Sequence, residues 1–437
     1  MKLRSMTYSL LLISVAVSSC GGGAGSSADG SGVGGSSGGS GSGSSGSPAG
    51  DSTITVTSSA RSETVVEGQS ATFQVAASSS ATLHYQWQID GADVAGATGA
   101  SFTTATQTAA GDGSQISVQL SNGTASTSAG PVTLHVYAET AVPAPTQYVI
   151  DPAVTDAAID DSYGMHYAYI NPAVTPKGKL FVFFPGTGAV PKDYLLIVTA
   201  AADNGYHALG LAYQNSSLVT APCAATGDPN CPGDVHEATF SGAATSSLVS
   251  VTPANSVENR LVKALTYLAA QHPQQNWSQY LDANGNVIWS SVRVAGHSQG
   301  GSLAAYVGKR VVVDRASFLS APDDEVGGQV AAWLTSAGQT AAARYFGFAH
   351  TGDALIPFNV IQQTWPALQL PQFGSYTSVD GVAAPFGGSH MLDSSLTATT
   401  LVTPLTYHDI TAVDVTTPLD SNGLPTYRHA WQYLCFQ

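Results

Sequence analysis

Two kinds of hydrophobic patterning divide the chain. From Ser52 to about Val136, apolar and polar residues alternate in short runs such as Thr53-Ile-Thr-Val-Thr57, Ala71-Thr-Phe-Gln-Val75 and Gln115-Ile-Ser-Val-Gln-Leu120. Turn signals separate them at Glu67-Gly68, Asp90-Gly91 and Gly111-Asp-Gly113. A period of two sends alternate side chains to one face, so these runs predict the half-buried strands of an antiparallel β-sandwich. From about Glu139 the apolar runs no longer alternate. Lys179-Leu-Phe-Val-Phe-Phe184, Tyr206 to Ala212, Ser291 to Ala295, Ala316 to Leu319 and Arg344 to Ala349 predict strands covered on both faces. Between the second and third runs, Asn255 to Gln271 places Val257, Leu261, Leu265 and Leu268 on one helical face, with Asn255 and Glu258 as its N-terminal capping box. Strands alternating with helices predict a parallel sheet with helices on both sides.

The start of the chain fits neither pattern. Lys2 and Arg4 precede an apolar stretch from Tyr8 to Val17, too short to span a bilayer and of the length of a signal-peptide core. It ends in Val17-Ser18-Ser19-Cys20, which resembles the bacterial lipobox and implies a lipid on Cys20 as the mature N-terminus. The same resemblance implies, from Gly21 where an Asp could stand, the outer membrane in a Gram-negative cell. From Gly21 to Asp51 the chain is almost wholly Gly and Ser, a flexible tether with a reach of roughly 30 Å. The expected organisation is therefore a signal peptide at 1–19, a tether at 20–51, a sandwich at 52–138 and a larger domain at 139–437.

Charge changes the picture by exclusion. Fourteen basic against 29 acidic residues give a formal charge of −15, without any Lys/Arg run, so nucleic-acid binding has no electrostatic footing. An exported chain permits disulfides, and Cys223 and Cys231 lie close together in a loop rich in Pro, Gly, Asp and Asn. Their spacing fits no standard zinc pattern, so a structural bridge is expected. Cys435 is left as a buried small hydrophobe.

Within the sandwich, Gly68-x-x-x-Thr72-Phe73-x-Val75, Tyr85-Gln86-Trp87 and Val118-x-x-Ser121-Asn122 resemble bacterial immunoglobulin-like domains. The resemblance implies that Trp87 is the core tryptophan. Val75 and Val118 stand where that family has its two disulfide cysteines, so the bridge is expected to be missing.

The chemistry concentrates at Val294-Ala-Gly296-His297-Ser298-Gln299-Gly300-Gly301. The tether carries a G-x-S-x-G as well, at Gly35 to Gly39, so the pattern alone decides nothing. The copy at Ser298 follows a β-branched strand and opens an Ala-rich helix, the context of a nucleophile elbow. Gly296-His-Ser-Gln-Gly-Gly301 resembles the elbow of α/β-hydrolase esterases and lipases. Asn255-Ser256-x-x-Asn259-Arg260-Leu261 and Trp431-x-Tyr433-Leu434 resemble further features of a group of secreted bacterial hydrolases. The resemblance implies an α/β-hydrolase fold with a mostly parallel sheet, preceded by the all-β immunoglobulin-like sandwich.

Attack by a Ser hydroxyl needs a His held by a carboxylate, in the chain order Ser, acid, His. Asp353, in the turn after the run 344–349, is preferred as the acid, with Asp323 and Asp324 as competitors. His408 is preferred as the base, with His390 as its alternative and His429 behind both; His297 is expected to pack or orient. The oxyanion hole is expected from the backbone N–H of Gln299 and from Thr187 or Gly188, in Phe184-Pro-Gly-Thr-Gly188, which resembles the family's H-G-G loop with Pro in place of His. No cofactor is expected and no metal, since no H-E-x-x-H occurs.

These residues point to a lipid-anchored serine hydrolase acting on a small-molecule or polymeric ester. The competing reading is a surface binding or adhesion protein built on an inactive hydrolase scaffold, for which the tether and sandwich would be equally suited.

Overall fold

The computed structural model describes residues 53–66, 70–137, 143–161, 163–216, 218–382, 384–398, 405–420 and 423–437. The expected signal peptide at 1–19, Cys20, the expected tether, the turn expected at Glu67-Gly68 and part of the apolar run before His408 lie outside the described residues.

The first region is the expected immunoglobulin-like sandwich. One sheet orders the strands Glu63–Val66, Ser126–Tyr137, Gln115–Ser121, His84–Ile89 and Ala92–Asp93, and Thr72–Gln74 pairs with Ser101–Thr103. Alternation does what the period requires: Ile116, Val118 and Leu120 are buried along one strand while the residues between them are not. Trp87 is fully buried, with its ring centroid 6.4 Å from that of Phe73 and 5.7 Å from that of Phe102. Its indole N–H donates to the Gly99 carbonyl at 2.9 Å, which removes the cost of burying a polar group. Val75 and Val118 are both buried in the same cluster, so packing stands where a bridge would be in the family resembled.

The large sheet of the second region has nine strands among the described residues: β1 (Thr146–Ile150), β2 (His166–Ile170), β3 (Leu180–Phe184), β4 (His207–Gly210), β5 (Val292–His297), β6 (Arg315–Leu319), β7 (Tyr345–His350), β8 (Thr377–Ser378) and β9 (Met391–Ser394). Their spatial order is β1-β2-β4-β3-β5-β6-β7-β9-β8. β2 is antiparallel to both neighbours, and every other pair is parallel. This mostly parallel sheet, with its crossover helices, is the α/β-hydrolase fold.

Its central strands are apolar throughout because both faces are covered. Leu180, Val182 and Phe184 of β3 join one hydrophobic cluster, whereas Phe181 and Phe183 join the other. The helices that matter to the site are α1 (Leu195–Asp203), α2 (Thr220–Thr226), α3 (Cys231–Ser241), α4 (Val257–Gln271), α5 (Gln299–Arg310), α6 (Phe358–Ala367) and α7 (Thr406–Asp409). α4 buries Val257, Leu261, Leu265 and Leu268, the stripe its spacing predicts. Its cap differs from expectation. Ser256, not Asn255, is the N-cap and accepts from the Asn259 N–H, while Asn255 ends a preceding 3-10 turn and is drawn to Asp160. Among the described residues no helix is long and apolar enough to cross a membrane.

Parallel strands end on one side of a sheet, so β3, β5, β6 and β7 deliver their following loops to a common rim. Open α/β sheets bind ligands in the crevice at such a rim.

Candidate active site

Ser298 sits between β5 and α5 at φ 54° and ψ −127°, a left-handed conformation that costs a side-chain-bearing residue about 1–3 kcal/mol and marks functional bends. The surrounding glycines make the bend possible. A Cβ on Gly296 would strike the Gly300 carbonyl, and one on Gly300 would strike the carbonyl of Phe184. The Ser298 N–H donates to Leu319 O at 2.9 Å, and its carbonyl accepts from Gly301 and Ser302 at the start of α5. The helix therefore aims its N-terminal N–H groups and positive potential at the hydroxyl.

His408 lies in α7 and is buried. Its Nδ1 is 2.7 Å from Asp353 Oδ2. The other oxygen of Asp353 accepts from the N–H groups of Leu355 and Ile356, at 2.8 and 2.9 Å. That turn aims the free oxygen at the imidazole. Nε2 of His408 is buried and makes no hydrogen bond among the described residues; in ligand-free hydrolases the serine–histidine contact is often long and tightens when substrate binds.

The alternative residues are engaged elsewhere. His390 donates to the Tyr345 carbonyl at 3.0 Å and is stacked between Phe346 and Phe373. It stands at the entry of β9, beside the start of β7, at the opposite end of the sheet from Asp353. Burial pushes its imidazole down to about 4. Asp323 accepts from the Thr220 hydroxyl at 2.8 Å, and burial followed by the charge of Asp324 raises its carboxyl to about 6. Asp324 accepts from His236 Nε2 at 2.8 Å and from the Trp333 indole at 2.9 Å. Neither carboxylate hydrogen-bonds His408. His429 lies in the short helix Arg428–Trp431.

The loop after β3 is held by Asn215, a buried residue that sequence reasoning missed. Its carboxamide donates to Gly186 O at 2.6 Å and Ala189 O at 2.8 Å. Its own carbonyl accepts from Gly188 N at 2.9 Å. This corrects the expectation for Gly188, whose N–H is consumed inside the loop. The Thr187 N–H makes no hydrogen bond among the described residues, and the Thr187 hydroxyl bonds Gln299 Oε1 at 2.5 Å. The two expected donor positions, Thr187 and Gln299, are thereby brought together.

Cys223 and Cys231 form the expected bridge, closing the α2–α3 turn. With the Thr220–Asp323 and His236–Asp324 contacts, it ties the segment after β4 to the loop after β6. Cys435 is free and buried.

Among the described residues, one group, His297, His408 and Asp409, could converge on a metal ion. Its ring nitrogens are largely committed. His297 Nε2 meets the His408 carbonyl at 3.0 Å, its Nδ1 meets the Tyr194 hydroxyl at 3.1 Å, and His408 Nδ1 meets Asp353.

No family model and no curated protein matches the chain. Among solved structures, a dienelactone hydrolase-like promiscuous phosphotriesterase, P91, from metagenomic libraries is similar over 67% of this chain and 99% of its own, at 12% identity and a TM-score of 0.33. The N-terminal Ig1-2 module of the Drosophila receptor protein tyrosine phosphatase DLAR is similar over 30% of this chain and 60% of its own, at 15% identity and a TM-score of 0.19. The titin domains Z1Z2, in complex with telethonin, are similar over 31% and 57%, at 19% identity and a TM-score of 0.19. The chain thus spans less than two thirds of either immunoglobulin structure. Likenesses of this extent speak to neither activity nor substrate.

Proposed function

We propose that the chain is a serine hydrolase that cleaves carboxylic esters through an acyl-enzyme. Ser298 attacks the carbonyl carbon as His408 takes its proton; Asp353 holds the resulting imidazolium. The N–H groups of Thr187 and Gln299 carry the oxyanion. His408 then protonates the departing alcohol, and water repeats the sequence to release the acid. The observations that carry this reading are the 2.7 Å His408–Asp353 pair, the packing of His408 on His297 and, directly after His297, a serine held in a positive-φ elbow. Ser298→Ala should abolish both turnover of a short-chain nitrophenyl ester and labelling by a fluorophosphonate. Undiminished labelling would remove Ser298 from the mechanism and leave the binding-protein reading in its place.

We also propose that 52–138 and 139–437 are separate folding domains, and that export and lipidation of Cys20 hold both at a membrane through the tether. Radiolabelled palmitate should enter the wild-type chain and not Cys20→Ala.

A further inference from the structure

A chain of hydrogen bonds runs from the loop after β3 to the turn that bears His408, and its proton positions follow from its ends. The Gly186 N–H can only donate, and it meets the Tyr194 hydroxyl oxygen at 3.1 Å. The His408 carbonyl can only accept, and it meets His297 Nε2 at 3.0 Å. Nε2 of His297 therefore carries a hydrogen, and in the neutral ring its Nδ1 is a lone pair. That lone pair lies 3.1 Å from the Tyr194 oxygen, which donates its own proton there. Each group of the chain is thus engaged in a consistent sense; a protonated His297 would leave the Tyr194 hydroxyl hydrogen without its acceptor in the chain. Burial, then the nearby His408, pushes the His297 imidazole down to about 3, so this form persists across the ordinary pH range.

Each end matters to the proposed chemistry. Gly186 adjoins Thr187, and a Cβ placed there would lie 3.2 Å from Ser298 Cβ and 3.1 Å from His297 Nδ1. The His408 carbonyl belongs to the residue whose ring must meet Ser298. The same carbonyl accepts a second hydrogen bond, from Ser320 Oγ at 2.8 Å. α7 is a single turn, too short to fix a ring by its own hydrogen bonds. His297 also packs directly on that ring, with centroids 4.7 Å apart.

We propose that Tyr194 and His297 are positioning residues that lock the oxyanion loop and the base-bearing turn into one register around Ser298. The proposal rests on the esterase reading above. Neither residue touches the reacting atoms in this account; both act through groups that do.

Tyr194→Phe tests the link with little loss of packing, because the ring keeps its contact with Phe183, at 4.9 Å between centroids. kcat for a nitrophenyl ester should fall by about 10-fold to 100-fold with KM within about twofold, since misplacement by a fraction of an ångström acts on the transition state. At His297, packing and donation make opposite predictions. His297→Phe fills the space and removes the donor; His297→Gln fills it less well and keeps an N–H at the Nε2 position. Positioning requires the Gln variant to retain the higher kcat, although the Phe variant melts at the same or a higher temperature. Ser320→Ala removes the other donor to the same carbonyl and replaces His297→Phe should that variant not fold. Wild-type kcat in Tyr194→Phe, or a Phe variant at least as active as the Gln variant, would overturn the link while leaving the esterase standing. Absence of Ser298-dependent turnover in the unsubstituted protein would overturn the esterase reading and the link with it.

Discussion

Asp353 meets His408 across 55 positions of sequence, its Oδ2 lying 2.7 Å from the imidazole Nδ1 while its Oδ1 is fully taken by two backbone N–H groups. The carboxylate cannot rotate without breaking that turn. In Asp353→Asn, one end of the amide must be an NH2. It faces either the Leu355 and Ile356 N–H groups or the Nδ1 hydrogen of His408, and both are donors. The imidazole is driven to the wrong tautomer or loses its partner. kcat should fall by about 10³-fold to 10⁴-fold, measured on the same ester as wild type. Asp323→Asn, at a carboxyl bonded to Thr220, should change kcat by less than about threefold. A reversed ranking would move the acid role to Asp323.

The buried histidines should each cost the fold stability as pH falls, whereas buried carboxyls with raised values, such as Asp323 at about 6, act in the opposite sense. Burial holds His166 and His297 down to about 3 and His207 to about 4, so all three are neutral when folded. The unfolded chain takes up protons on them near pH 6.5. At these three sites the unfolded state therefore binds more protons between about 6.5 and 4, and the stability they contribute is lost as pH falls, by up to about 1.4 kcal/mol per pH unit for each group. His166 is the cleanest test: its Nδ1 accepts the Ala212 N–H, and Arg260 stands nearby. His166→Asn keeps an acceptor at that position without the titration. Its urea-unfolding free energy, followed from pH 7 to 4, should fall less steeply than that of wild type. Equal slopes would show that His166 takes up its proton alike in the folded and the unfolded chain.

Local patterns were legible where a residue's surroundings are set by its neighbours in sequence. The buried strands, the α4 stripe and the Ser298 elbow are of that kind, because period, branching and the glycines at 296 and 300 act within a few residues. The positions of His408 and His390 were not. Both follow apolar or glycine-rich runs, and only the pairing of β9 beside β7 puts His390 at one end of the sheet and His408 at the other. Thr187 and Gly188 were likewise indistinguishable until Asn215, 27 positions beyond Gly188, took up one N–H. Neither Tyr194, read from the sequence only as one of several loop aromatics that could line an acyl pocket, nor Ser320 gave a sign of a positioning role, since a buried Tyr and a turn Ser are ordinary in any sequence. The short strands β8 and β9 offer too few residues for a period to show.

The Cys223–Cys231 bridge closes a short loop, with a sequence separation of 8. By chain entropy a loop of that size contributes about 2 to 3 kcal/mol. Because α2 and α3 also reach the loop after β6 through Thr220 and His236, loosening them should be felt near Asp323. Reduction, or the pair Cys223→Ser and Cys231→Ser, should lower stability by that amount and speed hydrogen exchange in 220–241 first. Exchange that quickens uniformly over 139–437 would show that the bridge restrains the whole region instead of this segment.

Trp87 offers the sharpest test of whether the two cores are energetically separate. Its cluster draws only on residues from Ala60 to Val136, whereas the two clusters around the large sheet draw on residues from Ile150 onward. The clusters share no buried members. Trp87→Ala removes a fully buried ring that meets both Phe73 and Phe102 and deletes the indole bond to Gly99, a loss of about 3–5 kcal/mol. Against the marginal stability of a small sandwich, that is enough to unfold it at moderate temperature. Calorimetry of the wild-type chain should then show two transitions, of which the substitution lowers one and leaves the other in place. Ester turnover should persist above the lowered transition, because Ser298, His408 and Asp353 are held by the other clusters. Turnover lost in step with the sandwich would show that the domains fold as one cooperative unit, whatever their cores suggest.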